Sequence, residues 1–209
     1  MTRVDSPYDI VHDSQQLYRK LLDSMARPGK INKVQATEGQ FTGCEGIRPS
    51  MLAIALTLLD RESSFYVRSP LAKAFSQYVK WKTFSKEALL ANAQFIFIQD
   101  KLSNQDIMKL AQEVNVGTLH DPHEGATIII DVQSLDTSSN NGTGIRFSLT
   151  GPGIKTQRSC VIDGIDIAWF EARERRNAEF PLGFDLILVS TDGAILSIPR
   201  TTHIHKERE

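Results

Sequence analysis

Cysteine is scarce: Cys44 and Cys160 are the only two among 209 residues. Their spacing matches neither a disulfide framework nor a zinc-ligand pattern, so reduced structural thiols are expected. An excess of one charge sign is also lacking. Lys and Arg number 24 against 25 Asp and Glu, a formal net charge of −1. Bulk attraction to nucleic acid is thereby removed as a basis for function, and any anion site must be built locally. Long apolar runs are missing too. Met51–Leu59, broken by Thr57, and Ile128–Ile130 fall far short of the ~20 residues a membrane helix needs. The first sixteen residues hold no apolar stretch of the kind a secretion signal carries. The expectation is a cytoplasmic protein with neither nucleic acid nor membrane as partner.

Chemical signatures are equally sparse. There is no G-x-x-x-x-G-K-[ST], no G-x-G-x-x-G, no G-x-S-x-G elbow and no pair of histidines on one helix face. No lysine stands in a context that marks a Schiff-base residue. His120, Asp121, His123 and Glu124 crowd one loop. A His-x-x-His on a proline-containing loop without further ligands is a weak zinc signal, however, and reads better as a surface turn.

What is present is the patterning of one α/β domain spanning residues 1–209, with 41% apolar residues, ample for a core. Helical spacing predicts Asp9–Ala26, ended by Arg27-Pro28-Gly29, with Asp13 or Ser14 as an N-cap if the helix starts late. Arg27 and Lys30 there suit either an anion-facing nest or, more simply, the helix dipole. Met51–Leu59 is apolar nearly all round, which places it in the core or at a subunit interface. Leu71–Trp81 is predicted as a helix with Ser69 as N-cap and Pro70 at its first turn. A fourth helix runs from Ser103 or Asn104 to about Leu110. The last is Ile165–Asn177, whose Glu171, Arg173, Glu174, Arg175 and Arg176 read as a solvated face. Strands are expected at Phe65–Val67, Phe95–Ile98, Thr127–Val132 and Ile145–Leu149. Ser134–Gly144 reads as a flexible link, and the charged tail Lys206–Glu209 as frayed. The architecture predicted is a mixed, mostly buried β-sheet flanked by helices.

The densest stretch is Phe180–His205. Two apolar strands, Phe184–Val189 and Ala194–Ile198, meet across Asp192-Gly193, where a hairpin turn belongs. Pro199 ends the ladder because it has no N–H to donate. Arg200, Thr201, Thr202 and His203 follow: a permanent cation, two hydroxyls and an imidazole. This cluster can hold an anion, or it can simply cap a sheet. Gly151-Pro152-Gly153 is a tight turn with exposed backbone, short of a phosphate-binding fingerprint.

Several segments together resemble one family. They are Ser148-Leu149-Thr150-Gly151-Pro152-Gly153-Ile154, Phe180-Pro181-Leu182-Gly183-Phe184-Asp185-Leu186-Ile187-Leu188 and Ile198-Pro199-Arg200-Thr201-Thr202-His203. Met25-Ala26-Arg27-Pro28-Gly29 and Glu124-Gly125-Ala126-Thr127 fit in the same order. They are similar to the PhnH subunits of the bacterial carbon–phosphorus lyase system, and the likeness covers essentially the whole chain. The resemblance implies a part in phosphonate catabolism. PhnG, PhnH, PhnI and PhnL there convert ATP and methylphosphonate into α-D-ribose 1-methylphosphonate 5-triphosphate with release of adenine. A separate radical iron–sulfur subunit later cleaves the C–P bond. It further implies a homodimer with PhnG-, PhnI-, PhnJ- and PhnL-like partners, and an accessory subunit within a transferase complex. The fold expected is a reduced pyridoxal-phosphate-dependent transferase without the cofactor.

The resemblance carries position but no catalytic residue. Arg200, Thr202, His203, Asp185, Gly151 and Gly153 are the candidates for a substrate or anion site, with no metal. The competing reading is that Asp185 and Arg200 pair across the hairpin while His203 caps it. An autonomous phosphonate- or nucleotide-binding protein or transferase is the rival function.

Overall fold

The computed structural model describes residues 7–137 and 144–207. The middle of the expected link, 138–143, and the last two residues of the expected tail, 208–209, lie outside them. In chain order the elements are α1 (His12–Ala26), β1 (Asn32–Lys33), α2 (Pro49–Leu58), β2 (Ser64–Arg68), α3 (Ala72–Thr83), β3 (Lys86–Glu87), β4 (Phe95–Ile98) and α4 (Asn104–Glu113). There follow β5 (Thr127–Asp131), β6 (Ser134–Asp136), β7 (Ile145–Thr150), β8 (Arg158–Asp163), α5 (Ala168–Arg176), β9 (Asp185–Val189), β10 (Ala194–Ile198) and β11 (His203–Lys206). None of the helices among the described residues is long and apolar enough to cross a membrane.

The α/β expectation holds in outline, but the strands form two sheets rather than one. The larger has seven strands in the order β1-β10-β9-β5-β4-β2-β3. Its run β9-β5-β4-β2-β3 is parallel, and β10 and β1 are added antiparallel. The smaller is antiparallel, β11-β7-β8-β6. Three of its strands fall where the sequence pattern suggested none. Arg158–Asp163 was assigned no element, Ser134–Asp136 lies inside the expected link, and His203–Lys206 reads as polar chain end. Strands of a half-solvated sheet bury only alternate residues, and theirs are few: Cys160 and Ile162 in β8.

The central strands of the large sheet are buried on both faces, as their continuous apolar runs require. Alternation sends Phe65, Val67, Phe97, Ile129, Ile187, Val189 and Ile195 to one face, against α1, α2 and α3. Ile96, Ile98, Ile128, Ile130, Leu186, Leu188, Leu196 and Ile198 go to the other, against α4, α5 and the small sheet. Met51 through Ala55 of α2 are fully buried within the chain, so this all-apolar helix is core. At the β9–β10 turn Gly193 takes φ +79°, and the Ser190 hydroxyl donates to Asp192 Oδ1 at 2.5 Å.

Helix starts differ by a few residues from the pattern. Asp9 Oδ1 accepts from the N–H groups of Val11 and His12, so α1 begins at His12 behind an Asx turn. Ser69 accepts from Leu71 N–H, closing a turn ahead of α3 rather than capping it. Ser103 does cap α4, accepting from Asp106 N–H.

Both thiols sit in the two cores. Burial pushes Cys160 up to about 12, with Glu207 adding to it. Cys44 is pushed up to about 11 by burial and by Glu45. Neither forms a disulfide. Because the thiolate is the reactive form, the folded protein is expected to leave an aromatic disulfide reagent unconsumed at mildly alkaline pH. Both groups should react at once in denaturant. Fast titration of either thiol in the native state would contradict this placement.

Candidate functional site

The motif Ile198-Pro199-Arg200-Thr201-Thr202-His203 is where the chain leaves the large sheet and enters the small one. Pro199 ends β10, Thr202 N–H donates to Pro199 O at 2.9 Å, and His203 opens β11 opposite Thr150. Arg200 turns inward at this crossing. Its Nη2 donates to Asp185 Oδ2 at 2.7 Å, and its Nε lies 3.3 Å from the same oxygen. Its Nη1 donates to Pro122 O at 2.7 Å and its Nη2 also to Gly125 O at 3.2 Å. The Arg200 backbone N–H donates to Asp185 Oδ1 at 2.6 Å. The two side chains are only 16% and 13% exposed. A Cβ on Gly125 would collide with this guanidinium and with Gly183 O, which gives the Glu124-Gly125 entry a packing reason.

The remaining expected site residues surround the same crossing. Thr202 is buried with its hydroxyl unpartnered, whereas His203 is exposed. A Cβ on Gly151, at φ +130°, would come within 2.9 Å of Thr201 O, and one on Gly153, at φ +82°, would strike Ala26 O. The Gly-Pro-Gly turn is thus pressed against the crossing on one side and the Arg27-Pro28-Gly29 turn on the other. Arg27 and Lys30 both pair with Asp23, and Arg158 donates to the carbonyls of Arg27 and Pro28. That turn presents carbonyls rather than an anion nest. The His120–Glu124 loop is one 3₁₀ turn with both histidines exposed. Among the described residues no three His, Cys, Asp or Glu groups are arranged to hold a metal.

Arg173 departs from the expectation that the charged residues of α5 mostly form a solvated face. It is 3% exposed and donates to Thr202 O at 3.0 Å and to Pro199 O. Burial lowers its pKa to about 10. Asn177 adds to the clamp by bonding the N–H and C=O of Phe184. Nothing in the helical spacing of either residue pointed to the crossing.

A site that no motif announced lies elsewhere, at the carboxyl ends of the parallel strands. From β2 the chain runs through α3, on one face, outward to β3. From β4 it runs through α4, on the opposite face, toward β5. The direction of winding reverses between β2 and β4, and the crevice beyond such strand ends is where open α/β sheets accommodate ligands. Two adjoining cavities occupy it, of about 400 Å³ and about 430 Å³. Both share Arg48, Gln99 and Asp131. Arg48, just ahead of α2, places Nη2 2.8 Å from Asp131 Oδ2 at the end of β5. Its Nε is 2.6 Å from Oδ1, at an angle that makes no hydrogen bond, and Gln99 Oε1 is also buried without a donor. Arg68 and Asp100, at the ends of β2 and just past β4, approach to 3.9 Å. Asp166 accepts from Ala168 N–H at the start of α5.

Burial raises the pKa of Asp131 above 3.8, while Arg48 pulls the other way. A raised carboxyl pKa means that its stabilising contribution is complete below the unfolded pKa and is lost as pH rises through the folded one. Arg48→Met is therefore expected to move the Asp131 midpoint further up in a carboxyl-carbon NMR titration. Asp131→Asn should remove this share of the pH dependence. A downward shift in Arg48→Met would show that burial is not the governing effect.

Comparison with known proteins falls into line with the motifs. The family profile described as bacterial phosphonate metabolism protein PhnH matches residues 7–205. A Stutzerimonas stutzeri protein named as C-P lyase subunit HtxG is 30% identical over 191 residues, 91% of this chain and 85% of that one. The alpha-D-ribose 1-methylphosphonate 5-triphosphate synthase subunit PhnH of Rhizobium meliloti (strain 1021) is 27% identical over 209 residues, 95% of this chain and 94% of its own.

Proposed function

The chain belongs to the PhnH family of bacterial phosphonate metabolism proteins, and from that membership we propose that it serves phosphonate catabolism as an accessory subunit of the machinery that makes ribose 1-methylphosphonate 5-triphosphate. The observation that carries this reading is a family match from residue 7 to residue 205, together with relatives aligned over nearly their whole length. Its partners in this reading are PhnG-, PhnI-, PhnJ- and PhnL-like subunits. The test is co-expression with these proteins and complementation of a strain lacking its own copy. Co-purification and restored growth on methylphosphonate are expected. A chain that stays apart from all four and leaves growth unrestored would overturn the assignment.

Homodimerisation, the reduced transferase-type fold and independence from pyridoxal phosphate belong to the same proposal. Light scattering at several concentrations reads the first, and a spectrum lacking an internal-aldimine band after incubation with the cofactor reads the last. For Asp185, Arg200 and Thr202 we favour a structural junction over an anion site, since the guanidinium is already engaged by one carboxylate and two carbonyls. The crevice at the strand ends supports a second reading, in which the chain also binds a small molecule itself.

A further inference from the structure

We propose that the crevice around Arg48, Gln99 and Asp131 binds a neutral, hydroxyl-rich ring, either a free sugar or the sugar of a nucleoside, and not a free phosphate or phosphonate. This rests on the second reading above and names the ligand class for it.

Charge is the first argument. The cavity of about 400 Å³ is lined by two cations, Arg48 and Lys101, and three carboxylates, Asp100, Asp131 and Asp166. Arg48 is already committed to Asp131, and the adjoining cavity of about 430 Å³ adds Glu38. No surplus of positive charge remains to offset a dianion, and a partly buried carboxylate beside one would be strongly unfavourable. Hydrogen-bond polarity is the second. Gln99 Oε1 is a buried acceptor with no donor, and Asp131 Oδ1, in ionic contact with Arg48 Nε at 2.6 Å, also makes no hydrogen bond. A buried polar atom left unpaired costs about 1–3 kcal/mol, so the ligand that fits is one bringing O–H or N–H groups. A phosphonate dianion brings none. Shape is the third. Ile107, Ile130 and Trp169 give the cavity an apolar wall, and about 400 Å³ lies within the range of small-molecule sites. A ring with one apolar face and a hydroxylated edge satisfies wall and acceptors together. The anionic groups of any larger ligand would then lie at the open mouth or on a partner subunit.

The experiment titrates the full chain, labelled with nitrogen-15, with D-ribose, adenosine, uridine, methylphosphonate and inorganic phosphate separately. The Trp169 indole N–H is the reporter. Ribose and both nucleosides shifting this signal would place the sugar as the recognised part. Nucleosides alone would show that the base is needed against the apolar wall, still with a neutral ring bound. Gln99→Leu is expected to weaken binding about tenfold, whereas Gln99→Glu, which keeps the acceptor, should retain it. The proposal fails if no neutral probe moves the indole signal, or if phosphate or methylphosphonate does so and competes. It also fails if Gln99→Leu, folded by its spectrum, binds as the parent does. Complex membership is read separately by co-purification, so either result can fail without the other.

Discussion

Arg200→Ala is expected to lower the unfolding free energy by about 3–5 kcal/mol, the range for breaking a buried ion pair by removing one partner. The substitution leaves the Asp185 carboxylate without its cation in a site where the residue is 9% exposed. It also strips the Pro122 and Gly125 carbonyls of their donor. Asp185→Ala should have an effect of similar size for the mirror-image reason, because a guanidinium and the Arg200 N–H would then be buried with too few acceptors. The double variant Asp185→Leu/Arg200→Met should be far less harmful than the sum, since removing both charges removes the uncompensated one. Urea unfolding of the four proteins closes the cycle. His203→Ala, on the exposed side of the same motif, should stay within about 0.5 kcal/mol. An Arg200→Ala protein that loses under about 1 kcal/mol, yet loses stabilisation by added phosphate, would restore the anion site. The distinction matters for function as well. Loss of growth in Arg200→Ala is expected from unfolding alone, and only a variant of normal stability can test a role toward substrate.

How far this could be read from the sequence depended on whether the information was local. Alternation and turn chemistry are local, so the β9–β10 hairpin, β4, β5 and the five helices are all legible. The Arg27-Pro28-Gly29, Gly151-Pro152-Gly153 and Ile198–His203 motifs were equally visible, but their meaning was not. They converge at one junction between two sheets, and each had looked like a separate turn that could face an anion. Three strands of the small sheet escaped notice because they are half-exposed: β8 has two buried positions, and β6 and β11 have none. The crevice escaped for a different reason. Arg48 and Asp131 are 83 residues apart in unremarkable contexts, and only the fold brings the start of α2 against the carboxyl end of β5. Arg173 was misread because a helix of nine residues with five charges looks solvated until a loop is laid over one of them.

The junction predicts a second large effect, at Gly153. Gly153→Ala is expected to lower stability by about 2–5 kcal/mol, from two separable sources. One is conformational: φ is +82°, and a side chain in the left-handed region costs about 1–2 kcal/mol. The other is steric. The added Cβ would strike Ala26 O and lie 3.0 Å from Pro28 Cδ, in a place where overpacking costs about 1–3 kcal/mol. Gly43 separates the two, because its φ is +83° with nothing within 4 Å of a built Cβ. Gly43→Ala should therefore show the conformational part alone. If the two substitutions prove equal in thermal or urea unfolding, the turn at 151–153 is not held against the end of α1. If Gly153→Ala is much the worse, the helix end, the Gly-Pro-Gly turn and the Arg200 crossing are one mechanical unit. In that case the presence of all three motifs in one chain is explained by packing, and ligand recognition has to be sought at the strand ends instead.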